Sequence, residues 1–215
     1  MKITKIEYQK KNKDRLNIYI DDEYAFAIGI NILIKFSLAK GMVIDREFLD
    51  EILKSEEKSS VYNYGIKLLS RSAKCENEIR QKMKAKGFDL QLIDNAIIKL
   101  KEQKYLDDER YCEMFIKDKI NISKYGVRKI KEALILKGIS REIIEEKISC
   151  ISREDEEERA YLLGAKKLPT IREKDKFKRK VKLYNYLIGR GFEYDVVRRT
   201  VSRLLNSEFD DFENI

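Results

Sequence analysis

Apolar and polar positions follow two different rhythms along this chain, and the change comes near residue 60. In the first part Ile3, Ile6 and Tyr8 precede the polar run Lys10 to Asp14, and Leu16, Ile18 and Ile20 then recur at every second position, the period of a half-buried strand. Asp21 and Asp22 mark a turn, and Tyr24 to Ile28 reads as a third strand. Ile32 to Leu38 predicts a short helix ending before Gly41, and Asp45 is placed to cap a helix through Lys54. The polar stretch Ser55 to Ser60 reads as a linker or a helix end. Residues 1–57 are thus expected to form a small β-meander with helical cover.

Beyond that point the strand signal vanishes and a 3.6-residue period takes over. Aligning Gly87, Gly138 and Gly191 exposes an internal repeat. Eight residues before each glycine stand Ile79, Ile130 and Leu183, and four before stand Met83, Leu134 and Leu187. Lys86, Lys137 and Arg190 come immediately before, and Phe88, Ile139 and Phe192 immediately after. Leu92 with Ile93, Ile143 with Ile144 and Val196 with Val197 follow at five and six residues, then Ile97, Ile148 and Val201 at ten, and Leu100, Ile151 and Leu204 at thirteen. Apolar residues at −8 and −4 share one helical face, the glycine ends that helix in the left-handed conformation, and +6, +10 and +13 form the stripe of a second helix. The intervals of 51 and 53 residues leave room for one more helix per unit, over Val61 to Ser72, Asp108 to Ile120 and Asp155 to Lys166. The fold class predicted is mainly α: three tandem three-helix repeats, 58–104, 105–152 and 153–205, in an elongated, curved body behind a small β-rich segment. Asn206 to Ile215, with four acids and no base, reads as a frayed acidic tail.

Composition agrees with a helix-rich chain, since 39% of its 215 residues are charged and it holds 9 Gly and 1 Pro. The formal charge of +8 is unevenly spread: Met1 to Glu57 carries 10 bases and 11 acids, and Lys58 to Ile215 carries 36 and 27. The positive field therefore belongs to the repeats, and points to a polyanionic partner or an acidic protein groove. No apolar run is long and uninterrupted enough for a signal peptide or a membrane span. Cys75, Cys112 and Cys150 are odd in number and without a CxxC pair, as expected of reduced cysteines in a cytoplasmic protein.

Candidate chemistry is sparse. The chain has no His, which removes the commonest general base and leaves too few ligands for a four-coordinate zinc site. Gly189 and Gly191 follow a helix and not a strand, so they make no phosphate loop. Asp107 and Asp108 fit helix capping better than a carboxylate metal site, and the acids from Glu154 to Glu158 read as a solvated helix start. A binding protein without enzyme activity, metal or cofactor is expected.

The binding candidates are basic. Lys86, Lys137 and Arg190 recur at one position in all three units, where a cation either complements the helix dipole or contacts a partner. Arg80, Arg128, Lys129 and Lys131, then Lys176, Lys178, Arg179, Lys180 and Lys182, and finally Arg198 and Arg199 complete the set. Those near helix starts are hard to explain by dipole compensation. From Arg172 to Arg203 there are 11 bases and 4 acids, the densest patch of the chain. Tyr125, Tyr161, Tyr184 and Tyr186 lie among these charges and read as boundary residues of the helical units, although aromatic residues between bases also stack nucleobases.

These residues also carry a family likeness. Tyr64 to Arg71, Lys74 to Ile79 and the corner Lys86-Gly87-Phe88 resemble the first repeat of the RecX family, with Cys75 standing where that family usually has Ser. Leu106 to Tyr111, then Gly126, Arg128, Ile130, Leu134 and Lys137-Gly138-Ile139, is the most distinctive match, and the third unit is similar through Arg190-Gly191-Phe192. The segment Ile3 to Ile20 resembles an extension found on some members. The resemblance implies a non-enzymatic, monomeric modulator that lies in the helical groove of the RecA–DNA filament and restrains recombination and coprotease activity. From the recurring units, contact with single- and double-stranded DNA with weak sequence preference is expected. The alternative is a helix-turn-helix-like regulator acting directly on duplex DNA.

Overall fold

Two adjacent residues with positive φ, Asp21 at 49° and Asp22 at 69°, make the tight turn that sets the N-terminal sheet. The computed structural model describes the backbone of residues 1–210 and the side chains of residues 1–205. Strands β1 (Ile3–Tyr8), β2 (Arg15–Ile20) and β3 (Glu23–Gly29) form an antiparallel sheet in that order. The register pairs Ile6 with Ile18 and Ile18 with Phe26, so the alternating isoleucines share one face. That face is covered by α1 (Ile30–Lys35) and the first half of α2 (Arg46–Leu69), with Ile3, Ile18, Ile28, Ile32 and Ile52 buried between them.

Helix α2 corrects two expectations. It runs unbroken through Ser55 to Ser60, so the helices expected over residues 45–54 and 61–72 are one, and the boundary expected at 57/58 falls inside it. The polar run is not a linker because its side chains face partners on the N-terminal module. Lys35 Nζ donates to Ser55 Oγ (2.8 Å), Asn31 Nδ2 to Ser59 Oγ (2.7 Å), and Glu56 pairs with Arg15 (3.0 Å). Serines engaged in this way do not compete for their own helix's backbone. The expected cap at Asp45 is present, its carboxylate accepting from the Phe48 N–H at 2.8 Å. The short helix ends at Lys35, earlier than Leu38, and Ser37 turns the chain with φ 49°.

The repeats follow as expected: α2, α3 (Glu76–Ala85) and α4 (Leu90–Glu102); α5 (Asp108–Asn121), α6 (Val127–Leu136) and α7 (Arg141–Ser149); α8 (Arg153–Lys167), α9 (Lys176–Gly189) and α10 (Tyr194–Asp210). Because α10 continues to Asp210, the first half of the expected tail is helical in its backbone, and residues 211–215 lie outside the described residues. All six side chains at −8 and −4, Ile79, Met83, Ile130, Leu134, Leu183 and Leu187, are fully buried, each contributing about 1.5–3 kcal/mol of transfer free energy. The chain divides into two compact units, residues 1–74 with 78–106, and residues 75–77 with 107 onward.

Each corner closes in the same way. Gly87, Gly138 and Gly191 have φ of 89°, 81° and 87°. Each glycine N–H donates three residues back at 2.9 Å, and the next residue's N–H donates five back, Phe88 to Met83 O, Ile139 to Leu134 O and Phe192 to Leu187 O. This double closure satisfies carbonyls that a helix end leaves bare. The three glycines nevertheless sit in different surroundings. A Cβ at Gly87 would meet nothing within 4 Å, whereas at Gly191 it would collide with Lys129, whose backbone nitrogen lies at 2.7 Å. Gly87→Ala should therefore cost only the left-handed strain, about 1–2 kcal/mol, and Gly191→Ala that strain plus about 1–3 kcal/mol of overpacking. Urea denaturation of the two variants checks the order, and equal losses would overturn it.

Candidate interaction surface and repeat junctions

Helix α6 begins without a capping side chain, because its N-cap is Gly126. Its first N–H groups are satisfied from the third repeat. Gly126 N–H donates to Arg190 O (3.0 Å), Val127 N–H to Glu156 Oε1 (2.9 Å) and Arg128 N–H to Gly191 O (3.0 Å). The corner of one repeat thus sits on the helix start of the repeat before it, and an acid from its first helix completes the cap. Gly126 is required here: a Cβ would run into the backbone of Gly191 and Phe192. The Gly138 corner uses the same device. Asn77 Nδ2 and the Cys75 thiol donate to Lys137 O at 3.0 and 3.4 Å, and Glu76 N–H donates to Asp108 Oδ1 at 2.8 Å.

These contacts revise the reading of the acidic groups. Asp107 caps its own helix by accepting from Arg110 N–H at 3.0 Å, but Asp108 caps a different one, at Glu76. Glu156 is buried and not part of a solvated helix start. Burial raises its carboxyl above the ordinary 4.5, with the Val127 N–H and the Arg159 guanidinium pulling the other way. Glu56 plays the corresponding part in the N-terminal module, accepting from Gly29 N–H at 2.8 Å. Among the described residues no group of three or more His, Cys, Asp or Glu side chains is arranged to hold a metal ion.

Many of the basic candidates are committed to the fold. Arg128 Nη2 donates to Ile188 O (2.7 Å) and Lys129 Nζ to Gly189 O (3.2 Å), so both compensate the carbonyl end of α9 across the junction. The expectation that bases at a helix start escape dipole compensation is corrected: they serve the end of the neighbouring helix. Arg190 donates to Ser123 O (3.4 Å) and lies over Tyr186, while Lys137 lies over Tyr111 and Phe115. Arg80 pairs with Asp94, Lys131 with Glu145, Lys182 with Glu173 (2.9 Å), and Arg199 with Glu157 (2.8 Å) and Asp195 (3.1 Å). Arg179 is half-buried, and Lys176 is exposed. Lys86, Lys178, Lys180 and Arg198 are exposed and make no ion pair among the described residues. Tyr125, Tyr161, Tyr184 and Tyr186 pack at the edges of the cores, as their pattern suggests.

Helix α9 differs from the other middle helices. Its first turn carries Lys176 and Lys178 with no acid, and Asp175 supplies only the cap, accepting from Lys178 N–H at 3.0 Å. Phe177 is 73% exposed among these lysines and was not visible as a candidate in the sequence. The signal for it is angular: Leu183 and Leu187 define the buried face, and Phe177 lies well off it.

A β-rich module followed by three helical repeats joined corner to helix start defines a class of tandem-repeat protein, and comparison with known proteins agrees. The family models for the RecX N-terminal domain and its first, second and third three-helix domains match residues 1–45, 62–100, 107–148 and 154–201. The chain is 40% identical to "Regulatory protein RecX" of Clostridium perfringens strain 13 over 97% of its length and 98% of the relative's. It is 37% identical to the protein of that name from Clostridium botulinum strain Alaska E43, covering 98% and 99% of the two chains. A crystal structure of regulatory protein RecX superposes with a TM-score of 0.75 at 29% identity, over 92% of this chain and 97% of the other. RecX from Lactobacillus salivarius shares the fold at 23% identity, with a TM-score of 0.66 over 70% of this chain and 97% of the other. The chain belongs to the RecX family of regulatory proteins.

The buried acid at the α6 start yields a test with a definite sign. An acid whose folded pKa is raised stabilises most below its ordinary value, and that contribution is lost as pH rises through the folded pKa. Glu156→Gln keeps the acceptor and cannot ionise, so its stability should match the parent at low pH and equal or exceed it near neutrality. Glu156→Ala, which leaves the Val127 N–H bare, should lose about 1–3 kcal/mol throughout. Denaturation midpoints between about pH 4 and pH 8 measure both, and a glutamine variant that is less stable only near neutrality reverses the sign.

Proposed function

We propose that this protein binds the RecA–DNA filament, in its helical groove, and restrains recombinase and coprotease activity without catalysing a reaction of its own. One observation carries the polyanion-binding part of this reading: the start of α9, where Lys178 and Lys180, without an ion pair among the described residues, oppose their own helix dipole on either side of an exposed Phe177. Cations placed there do not compensate their own helix's dipole, so the arrangement is best accounted for by a partner. Lys176, Lys182 and Arg198 extend the same positive field, and Lys86 adds an unpaired cation at the first corner. An exposed aromatic ring among lysines suits contact with unstacked bases of single-stranded DNA as well as with phosphates. Family membership supports the filament as partner, and the charges would then supply distributed contacts that gain by multivalency.

A sequence-specific duplex reader is less well supported. In a helix–glycine turn–helix module the second helix enters the groove, here α4, α7 or α10. Their starts carry Asp89, Glu142 and Asp195, acids that would face phosphates and base edges with the wrong sign. The start of α6 is covered by the next repeat's corner and cannot enter a groove.

Added to preformed RecA filaments on single-stranded DNA, the protein should slow both ATP hydrolysis and strand exchange; no effect on either would remove the filament reading. On single-stranded DNA alone, the double variant Lys178→Gln, Lys180→Gln should weaken binding and flatten the plot of log Kobs against log salt by about 1.4. Lys182→Gln, which disrupts an ion pair with Glu173, should change the slope less. One duplex sequence bound far more tightly than random DNA would favour the direct regulator instead.

A further inference from the structure

Three corners of one design are present, and only two are seated. The Gly138 corner rests on Cys75-Glu76-Asn77, and the Gly191 corner on Gly126-Val127-Arg128. Both seats lie 12 to 10 residues before the glycine of their own repeat, at the start of its middle helix. In both, helix-start donors reach the carbonyl of the residue before the corner glycine. A Cβ on that glycine would meet the seat or the residue that follows it, at 2.8 Å from Asn77 Nδ2 in one case and 2.7 Å from Lys129 N in the other.

The remaining corner, Lys86-Gly87-Phe88, has the same geometry. Gly87 N–H donates to Lys84 O at 2.9 Å, and Phe88 N–H to Met83 O at 3.3 Å. Yet nothing lies within 4 Å of a Cβ at Gly87, Lys86 and Gly87 are exposed, and among the described residues neither a backbone N–H, as at Arg190, nor a side chain, as at Lys137, donates to either carbonyl. Glu56, the acid that would accompany this corner, is already engaged with Gly29 and Arg15. A second copy of the chain does not supply the missing seat. In the third repeat the equivalent stretch is Arg179 to Val181, but relative to its corner glycine α9 starts four residues earlier than α3 and α6, and the Arg179 N–H already donates to Asp175 O at 2.9 Å.

We propose that Lys86-Gly87-Phe88 is an open joint that receives the N-terminus of an α-helix from a partner protein. The first N–H groups of that helix donate to the carbonyls of Lys86 and Gly87, and the bare Cα of Gly87 permits the approach that Gly138 and Gly191 permit in their own joints. The partner helix starts with a residue that leaves room for the corner, as Gly126 does, and brings its own acceptor for the N–H that Glu56 is not free to take. On the function proposed above, on which the choice of partner rests, that helix belongs to the protein component of the RecA–DNA filament.

Gly87→Asn tests the joint, because asparagine tolerates the left-handed conformation while adding a Cβ and an amide to the open face. Gly41→Asn is the matched control, since Gly41 has φ 91° and is equally uncrowded. Labelled full-length proteins would be titrated onto RecA filaments assembled on single-stranded DNA, and onto that DNA alone. The expected result is filament affinity lower by about tenfold or more for Gly87→Asn, unchanged DNA affinity, and an unaltered Gly41→Asn. Equal filament binding by Gly87→Asn and the parent overturns the joint while leaving the proposed function standing. A matching loss on DNA alone assigns the corner to nucleic acid, and a matching loss in Gly41→Asn makes the effect unspecific; either overturns it. Failure of the parent itself to bind filaments removes the proposed function and this joint with it.

Discussion

A helix start exposes N–H groups that must find acceptors, and the repeat region answers that requirement between repeats. Gly126, Val127 and Arg128 would leave three bare donors, and all three are taken by residues of the next repeat, Arg190, Glu156 and Gly191. An unmet buried N–H costs about 1–3 kcal/mol, so the junction between these two repeats is specified by polar complementarity as much as by apolar contact. The apolar clusters remain largely local to each repeat, around Leu100, Leu134 and Leu187. Between the second and third repeats, joining them is the task of the Gly191 corner.

Much of this was legible in advance. The glycines mark their corners because few other residues take a φ near +87°, and the residues at −8 and −4 must be apolar to bury the helix that ends there. What escaped was decided by residues distant in the chain. The polar run at 55–60 looks like a linker until Arg15, Asn31 and Lys35 are placed against it. Glu156 looks like its solvated neighbours until Val127, 29 positions away, comes within 2.9 Å. Arg128 and Lys178 carry the same formal charge near helix starts, but Arg128 is engaged by partners that include the Ile188 carbonyl, 60 positions away.

That separation matters for how the charge of the repeats is understood. A guanidinium and an ammonium from the start of α6 meet the last carbonyls of α9, so cations unfavourable to one helix dipole become favourable to another. Part of the positive excess is therefore mortar. Lys178 and Lys180 have no such neighbour among the described residues, and the charge available to a partner is smaller and more localised than a residue count implies.

The first turn of α9 has one more consequence. Every joint in this chain is directional, a corner behind and a helix start ahead, and nothing in the corner itself limits how many repeats are strung together. In the third repeat that direction is closed by four added residues, Lys176 to Arg179, which lengthen α9 so that the Arg179 N–H is already hydrogen-bonded to Asp175 O. The third repeat therefore offers a corner, but no helix start of the kind that seats the corners of the second and third repeats.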